Sequence, residues 1–210
     1  MSRAWIDAVR NPTAPWPDLQ QSTDGNSGRV RQHWRLPSRD SGVMTNPVVV
    51  RRATVDDLAA AARISVEAYV GAGQLDDGPD GFYGTVLADT GSRESDALLL
   101  VAVRREQVVG TVTICPPASP FREIGRDGEV EFRFLAVAPE AWGCGVGNAL
   151  VAACEDHARS VGSNRLVICV RDINAAAMTL YERHGFRRLP ERDWHPVPEV
   201  ALLVFEKNLS

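Results

Sequence analysis

The chain has 210 residues, 44% of them apolar and 24% charged, with a formal net charge of −4. That composition suits one globular α/β domain with a substantial core. It excludes the basic surplus of a nucleic-acid binder, and no apolar run approaches the ~20 residues that span a bilayer.

Residues 1–46 are rich in Pro, Ser, Arg, Asp and Gly and carry no sustained hydrophobic period. Pro12, Pro15 and Pro17 break up any apolar signal core, so a cytoplasmic location is predicted. The stretch reads as a poorly ordered N-terminal extension, with Trp5, Trp16 and Trp34 as its unusual feature. Met44 stands just before the first patterned segment, and a chain starting there is expected to fold. The four cysteines, Cys115, Cys144, Cys154 and Cys169, show no C-x-x-C spacing and read as reduced thiols. No metal is predicted.

From Pro47 the pattern sharpens into a second unit, residues 47–210. Val48–Arg52 reads as a strand. Thr54 with Asp57 forms a capping-box pattern ahead of a helix reaching about Tyr69, its inner face Leu58, Ala61, Ala62 and Ser65. Gly71–Gly81 is a glycine-rich acidic loop, and Phe82–Ala88 a short helix. Ala97–Val103 and Val108–Ile114 form a hairpin across Arg104–Gln107. A loop, Pro116–Gly128, leads to the strand Glu129–Val137. A helix over Gly145–Val161, a strand over Arg165–Val170 and a helix over Ala175–His184 follow, the last closed by Gly185. Phe186–Leu189 and Val200–Glu206 close the chain as a strand pair joined by a proline-rich loop. A mixed sheet, mainly antiparallel with one βαβ unit and helices on both faces, is the predicted fold.

Chemistry concentrates at Trp142-Gly143-Cys144-Gly145-Val146-Gly147-Asn148, where a strand runs into alternating glycines and a helix opens at once. Glycines let backbone N–H groups approach a ligand, and the helix start adds its positive dipole end, together making a pyrophosphate cradle. A dinucleotide reading needs G-x-G-x-x-G, but its third glycine position is Asn148, although Asp172 follows the next strand. That reading ranks second.

The segment resembles the acyl-CoA-binding motif of the GNAT superfamily of N-acetyltransferases, a strand followed by Q/R-x-x-G-x-G/A and a helix. The resemblance continues through Asn174-Ala175-Ala176-Ala177-Met178-Thr179-Leu180-Tyr181-Glu182-Arg183-His184-Gly185-Phe186, and covers about residues 47–208. It implies an acyltransferase that moves the acetyl group of acetyl-CoA to a primary amine, on a small molecule or a protein lysine or N-terminus. It also implies that backbone groups of Leu135, Ala136 and Val137 bond the pantetheine arm, with the Val137 N–H polarising the thioester oxygen. Trp142, Gly143, Cys144, Gly145, Val146, Gly147 and Asn148 then line the phosphate cradle, with Asn174, Ala177 and Tyr181 against the arm. Trp142 stands where the family usually has Gln or Arg, so one polar contact is expected to be missing.

An alkyl amine has a pKa of ~10 and must lose a proton before it attacks. Glu131, on the strand meeting the thioester, is the expected base, with Glu129 in reserve; Tyr181 is the expected acid. The resemblance puts the acceptor between residues 69–83 and 191–200, where Asp76, Asp77, Asp80, Glu191 and Asp193 suit a cationic amine or lysine. A non-catalytic acyl-CoA sensor is the alternative function. Neither nucleic acid nor membrane is an expected partner, and monomer and homodimer both remain open.

Overall fold

The computed structural model describes residues 47–209. The expectations for residues 1–46, including Met44 as a start and the three tryptophans, lie outside the described residues.

Thr54 starts the first helical segment as its sequence implies: its N–H and its hydroxyl both donate to the Asp57 carboxylate, at 2.7 and 2.8 Å. Arg51 also grips that carboxylate at 2.6 Å and, ahead of every other cause, holds the Asp57 pKa down at about 2. A 3-10 turn leads into α1, Leu58–Gly71, whose buried positions are Ala61, Ile64, Ser65 and Ala68. The expected face was rotated: Ala62 is half-buried, whereas Ile64 and Ala68 point inward. Next come α2, Phe82–Ala88, and α3, Thr90–Asp96. The sequence reading missed α3. Its polar Thr-Gly-Ser-Arg-Glu-Ser-Asp has no apolar stripe, and its inner face is Thr90 and Arg93.

The sheet contains β1 Val49–Arg52, β2 Leu98–Arg104, β3 Gln107–Cys115, β4 Glu129–Val137, β5 Arg165–Arg171, β6 Arg187–Arg188, β7 Trp194–Val197 and β8 Val200–Asn208. Their order is β1-β2-β3-β4-β5-β8-β6, with β7 also on β8. All pairings are antiparallel except β4 with β5. The expected proline-rich loop before β8 thus contains a short edge strand, in which Pro196 is tolerated because an edge leaves N–H positions unbonded. The remaining helices are α4, Val146–Ser160, and α5, Ala175–Arg183.

Period-two alternation assigns the two faces. Leu99 and Val101 pack with Ala61 of α1, while Leu100 and Ala102 join Val146 and Leu150 of α4 in the main core. Gly110 on β3 permits α4 its close approach. A Cβ there would lie 2.8 Å from Val146 Cγ1, 3.0 Å from Ala136 O and 3.1 Å from Leu150 Cδ1.

Gly110→Ala should therefore cost about 1–3 kcal/mol by overpacking. Because Val146 opens α4, the start of that helix should shift as well. A thermal melt checks this, and an unchanged midpoint would show that α4 yields freely.

Candidate active site

A bulge sets the geometry of β4. Thr113 pairs with Arg133 and Thr111 with Ala136, so one extra residue is accommodated on β4 opposite Val112. Phe134, inside the bulge, has φ 54°, a left-handed conformation rare for an aromatic residue. Its ring is held by Arg133 at 4.6 Å, by Arg93 at 5.0 Å and by Phe121 edge-on at 6.0 Å.

Beside the bulge the sheet splits. β4 and β5 pair only through Glu129–Arg165, Val130–Leu166 and Glu131–Val167, while β5 stays on β8 for seven residue pairs. Beyond Glu131 one edge of β4 therefore has no neighbouring strand among the described residues. Ala138 N–H donates to Val109 O on the β3 side at 3.0 Å. Because antiparallel bonding alternates, Val137 turns its own N–H and C=O toward the split. The Val137 carbonyl there accepts the indole N–H of Trp142 at 2.8 Å. Trp142 is half exposed, and its ring lies against Gly71 at the end of α1. In place of the missing Gln or Arg, an indole ties the glycine loop to the end of β4.

The split opens into a cavity of about 570 Å³. Arg133, Phe134 and Leu135 of β4 line it, as do Cys169 and Arg171 of β5 and Asn174, Ala177 and Tyr181 of α5. Tyr69, Gln74, Asp76, Asp77, Phe82 and Tyr83 form a second wall, and the β7–β8 hairpin from Pro196 to Val200 a third. These are the two segments expected to enclose an acceptor. Asp76 pairs with Arg171 at 2.9 Å, and Asp77 accepts the Phe82 N–H at 2.8 Å. Asp193 is instead held by Arg188 at 2.6 Å. Asp80, Glu191 and Asp193 do not line the cavity.

At the glycine loop, Gly143 and Gly145 have φ 72° and 81°, and a Cβ on either would meet open space. Gly145 caps α4, so the N–H groups of the first turn, through Asn148, lack helical partners. Gly147 lies against Leu180 and Val137, which joins the loop to both α5 and the split. The Asn148 side chain faces away from this role: its Oδ1 meets His184 Nε2 at 3.1 Å. Cys144 is exposed and Ala136 is buried against β3. Asn174 caps α5 by accepting the Ala177 N–H at 3.1 Å. These elements suit an acyl-CoA: a free strand edge, an open loop with a helix start, and a cavity beside the split.

Tyr181 is 3% exposed, with ring centroids 5.9 Å from Phe132, 5.7 Å from Phe186 and 6.2 Å from Phe205. Burial pushes its phenol well above the usual range, so it stays protonated.

The structure does not bring Glu131 to the cavity wall. It is 0% exposed, and its carboxylate accepts backbone N–H groups from Glu123, Ile124 and Gly125, at 2.7–3.2 Å. Its carboxylate anchors the 116–128 loop. Glu129 is likewise committed, to both guanidinium nitrogens of Arg192 at 3.0 Å and to Arg165 at 3.6 Å. Sequence reasoning missed Arg133 and Glu123, a pair 2.6 Å apart with both side chains 6% exposed. An arginine between Phe132 and Phe134 in an apolar strand was the available signal for Arg133. Glu123, in a loop, had none.

The family profile described as Acetyltransferase (GNAT) family matches residues 60–186. The chain belongs to the GNAT acetyltransferase family. Mycothiol acetyltransferase from Geodermatophilus obscurus is 39% identical over 64 residues, 30% of this chain and 21% of that one. Human N-acetyltransferase 8B is 31% identical over 102 residues, 49% of this chain and 44% of that one. The chain thus spans less than half the length of these curated relatives. The crystal structure of PaiA N-acetyltransferase from Thermoplasma acidophilum in complex with coenzyme A superposes with a TM-score of 0.58 at 16% identity. That match covers 77% of this chain and 99% of the other. GNAT proteins use acetyl-CoA, so the split strand and glycine loop are the elements to test as its site. Among the described residues no cluster of His, Cys, Asp or Glu is placed to hold a metal, and no helix is long and apolar enough to cross a membrane.

Gly145→Asp puts a β-carbon on a left-handed backbone and a carboxylate at the helix start. Calorimetry should show acetyl-CoA affinity reduced at least ~10-fold, equivalent to ~1.4 kcal/mol. Unchanged affinity in a folded variant would overturn the assignment of the loop.

Proposed function

We propose that this protein transfers the acetyl group of acetyl-CoA to a primary amine by direct attack. The observation that carries the reading is the split between β4 and β5: it frees a strand edge beside a cavity that also receives Tyr181. Acetyl-CoA supplies an activated acetyl group. The N–H groups of Gly143–Asn148 hold its phosphates, and the free edge at Leu135 and Val137 holds its arm as an added strand. The Val137 N–H stabilises negative charge on the acetyl oxygen. Tyr181, kept protonated by burial, gives a proton to the departing sulfur. A sensor has no need of such a phenol, and this favours the enzyme reading.

The acceptor is a cationic amine on an apolar body, whether a small molecule or a protein lysine or N-terminus. Tyr69, Phe82, Tyr83, Val197 and Leu202 supply an apolar wall, while Asp76, Asp77 and Glu199 bring negative charge to the same cavity. Acidic groups raise the local concentration of cations, and the apolar wall favours amines that carry hydrocarbon or an aromatic ring.

Tyr181→Phe retains the ring cluster and removes the proton donor. With an amine panel and acetyl-CoA, kcat should fall ~10²-fold with acetyl-CoA affinity unchanged. An unaltered kcat would make Tyr181 a packing residue.

A further inference from the structure

One buried carboxylate beside the cavity is left unexplained by the fold. Glu131 has its backbone donors, and Arg133 donates to Phe121 O at 2.7 Å. Glu123 has Arg133 at 2.6 Å, and apart from that ion pair neither carboxylate oxygen receives a hydrogen bond from the described residues. A carboxylate this deeply buried normally has several donors, because each unsatisfied lone pair is costly. One guanidinium is shared here by two carboxylates, since Arg133 Nε also lies 3.9 Å from Glu131. Only Glu131 has further donors to stabilise its charge.

We propose that Glu123 is the general base of the acetyl transfer, receiving the acceptor's proton through the cavity wall at Arg133 and Tyr83. This rests on the transferase reading above. The groups around Glu123 come from four elements: Arg133 and Glu131 on β4, Tyr83 on α2, Cys169 on β5 and Cys115 on β3. Of these, Arg133, Tyr83 and Cys169 line the cavity. Burial first, and the Glu131 charge as well, raise the Glu123 pKa to about 7 against the opposing pull of Arg133. At that value the carboxyl exchanges its proton near neutral pH, the range a base must occupy. Glu131, whose carboxylate raises the Glu123 pKa, acts as a positioning residue.

The step balances as follows. An N–H bond of the acceptor ammonium breaks and an O–H bond forms on Glu123, with the Tyr83 hydroxyl or a water molecule as relay. The freed lone pair forms the N–C bond to the acetyl carbonyl, and the C–S bond breaks. The sulfur takes the Tyr181 proton, and the surplus proton on the new amide nitrogen restores Tyr181. Glu123 then returns its proton to solvent.

Below pH 7 Glu123 is protonated and cannot accept, so kcat/KM should fall on the acid side with an apparent pKa near 7. Glu123→Gln matches the neutral form in shape and should preserve both the melt and acetyl-CoA affinity. It should lower kcat/KM ~10²-fold and abolish that acid limb. The loss should shrink for 2,2,2-trifluoroethylamine, which is already largely uncharged at neutral pH, a dependence that a structural role cannot produce. Independently of activity, infrared titration of the ligand-free wild type should show a buried protonated carboxyl that ionises near pH 7 and is absent from Glu123→Gln. Acetyl transfer by the wild type, with the acid limb of apparent pKa near 7 retained in Glu123→Gln or a loss independent of amine basicity, overturns the role of Glu123 alone. A Glu123 carboxyl already ionised at pH 5, seen as no protonated buried carboxyl band titrating near pH 7, does the same, whether or not the variant folds. Absence of acetyl transfer across the amine panel overturns the transferase reading and this assignment with it.

Discussion

Three residue pairs join β4 to β5, and the site depends on the joint ending there. A parallel pair that continued would bond every edge group of β4 and fill the space where the cavity lies. Two opposed demands produce the break. β5 is held along its whole length by β8, whereas β4 is turned by the bulge at Phe134. A left-handed phenylalanine costs of order 1–3 kcal/mol and persists only where its surroundings over-determine it. Two guanidinium groups and a second phenylalanine around its ring meet that condition.

The same region concentrates charge out of water. Arg93 is fully buried, bonded to Leu87 O and to Ser65 Oγ, and burial lowers its pKa only to about 10, so it remains cationic. Arg133 and Glu131 complete a polar layer beneath an otherwise apolar wall. Buried ions are weak sources of stability because desolvation offsets most of their attraction. Their effect is to fix position: Arg133 and Glu131 together hold the 116–128 loop, and Arg192 adds a bond to Ile124 O from the far side. The loop reads as irregular in sequence, yet five backbone groups secure it: the N–H groups of Glu123, Ile124 and Gly125 and the carbonyls of Phe121 and Ile124.

Local signals were legible in the sequence and tertiary ones were not. The glycine loop, the N-cap at Asn174 and the capping pair at Thr54 involve neighbours within a few positions, so spacing alone reveals them. The strand alternation fixed most of the sheet for the same reason. The helix α3 and the strand β7 escaped because one lacks an apolar stripe and the other contains Pro196. The partner of Glu131 escaped for a different reason. Whether a strand carboxylate faces a cavity or a set of loop amides is decided by how residues 116–128 fold back, and no periodicity encodes that.

Lys207 is the only lysine in the chain. Its ammonium lies 2.6 Å from Glu155, which also meets His184, so this one side-chain amine is engaged in an ion pair between β8 and α4. A protein built to handle acetyl donors therefore carries almost no lysine that could become a substrate of its own reaction. Its surface cations are arginines, whose guanidinium groups do not lose a proton near neutral pH. Such side chains offer an acyl donor no amine of the kind a lysine presents.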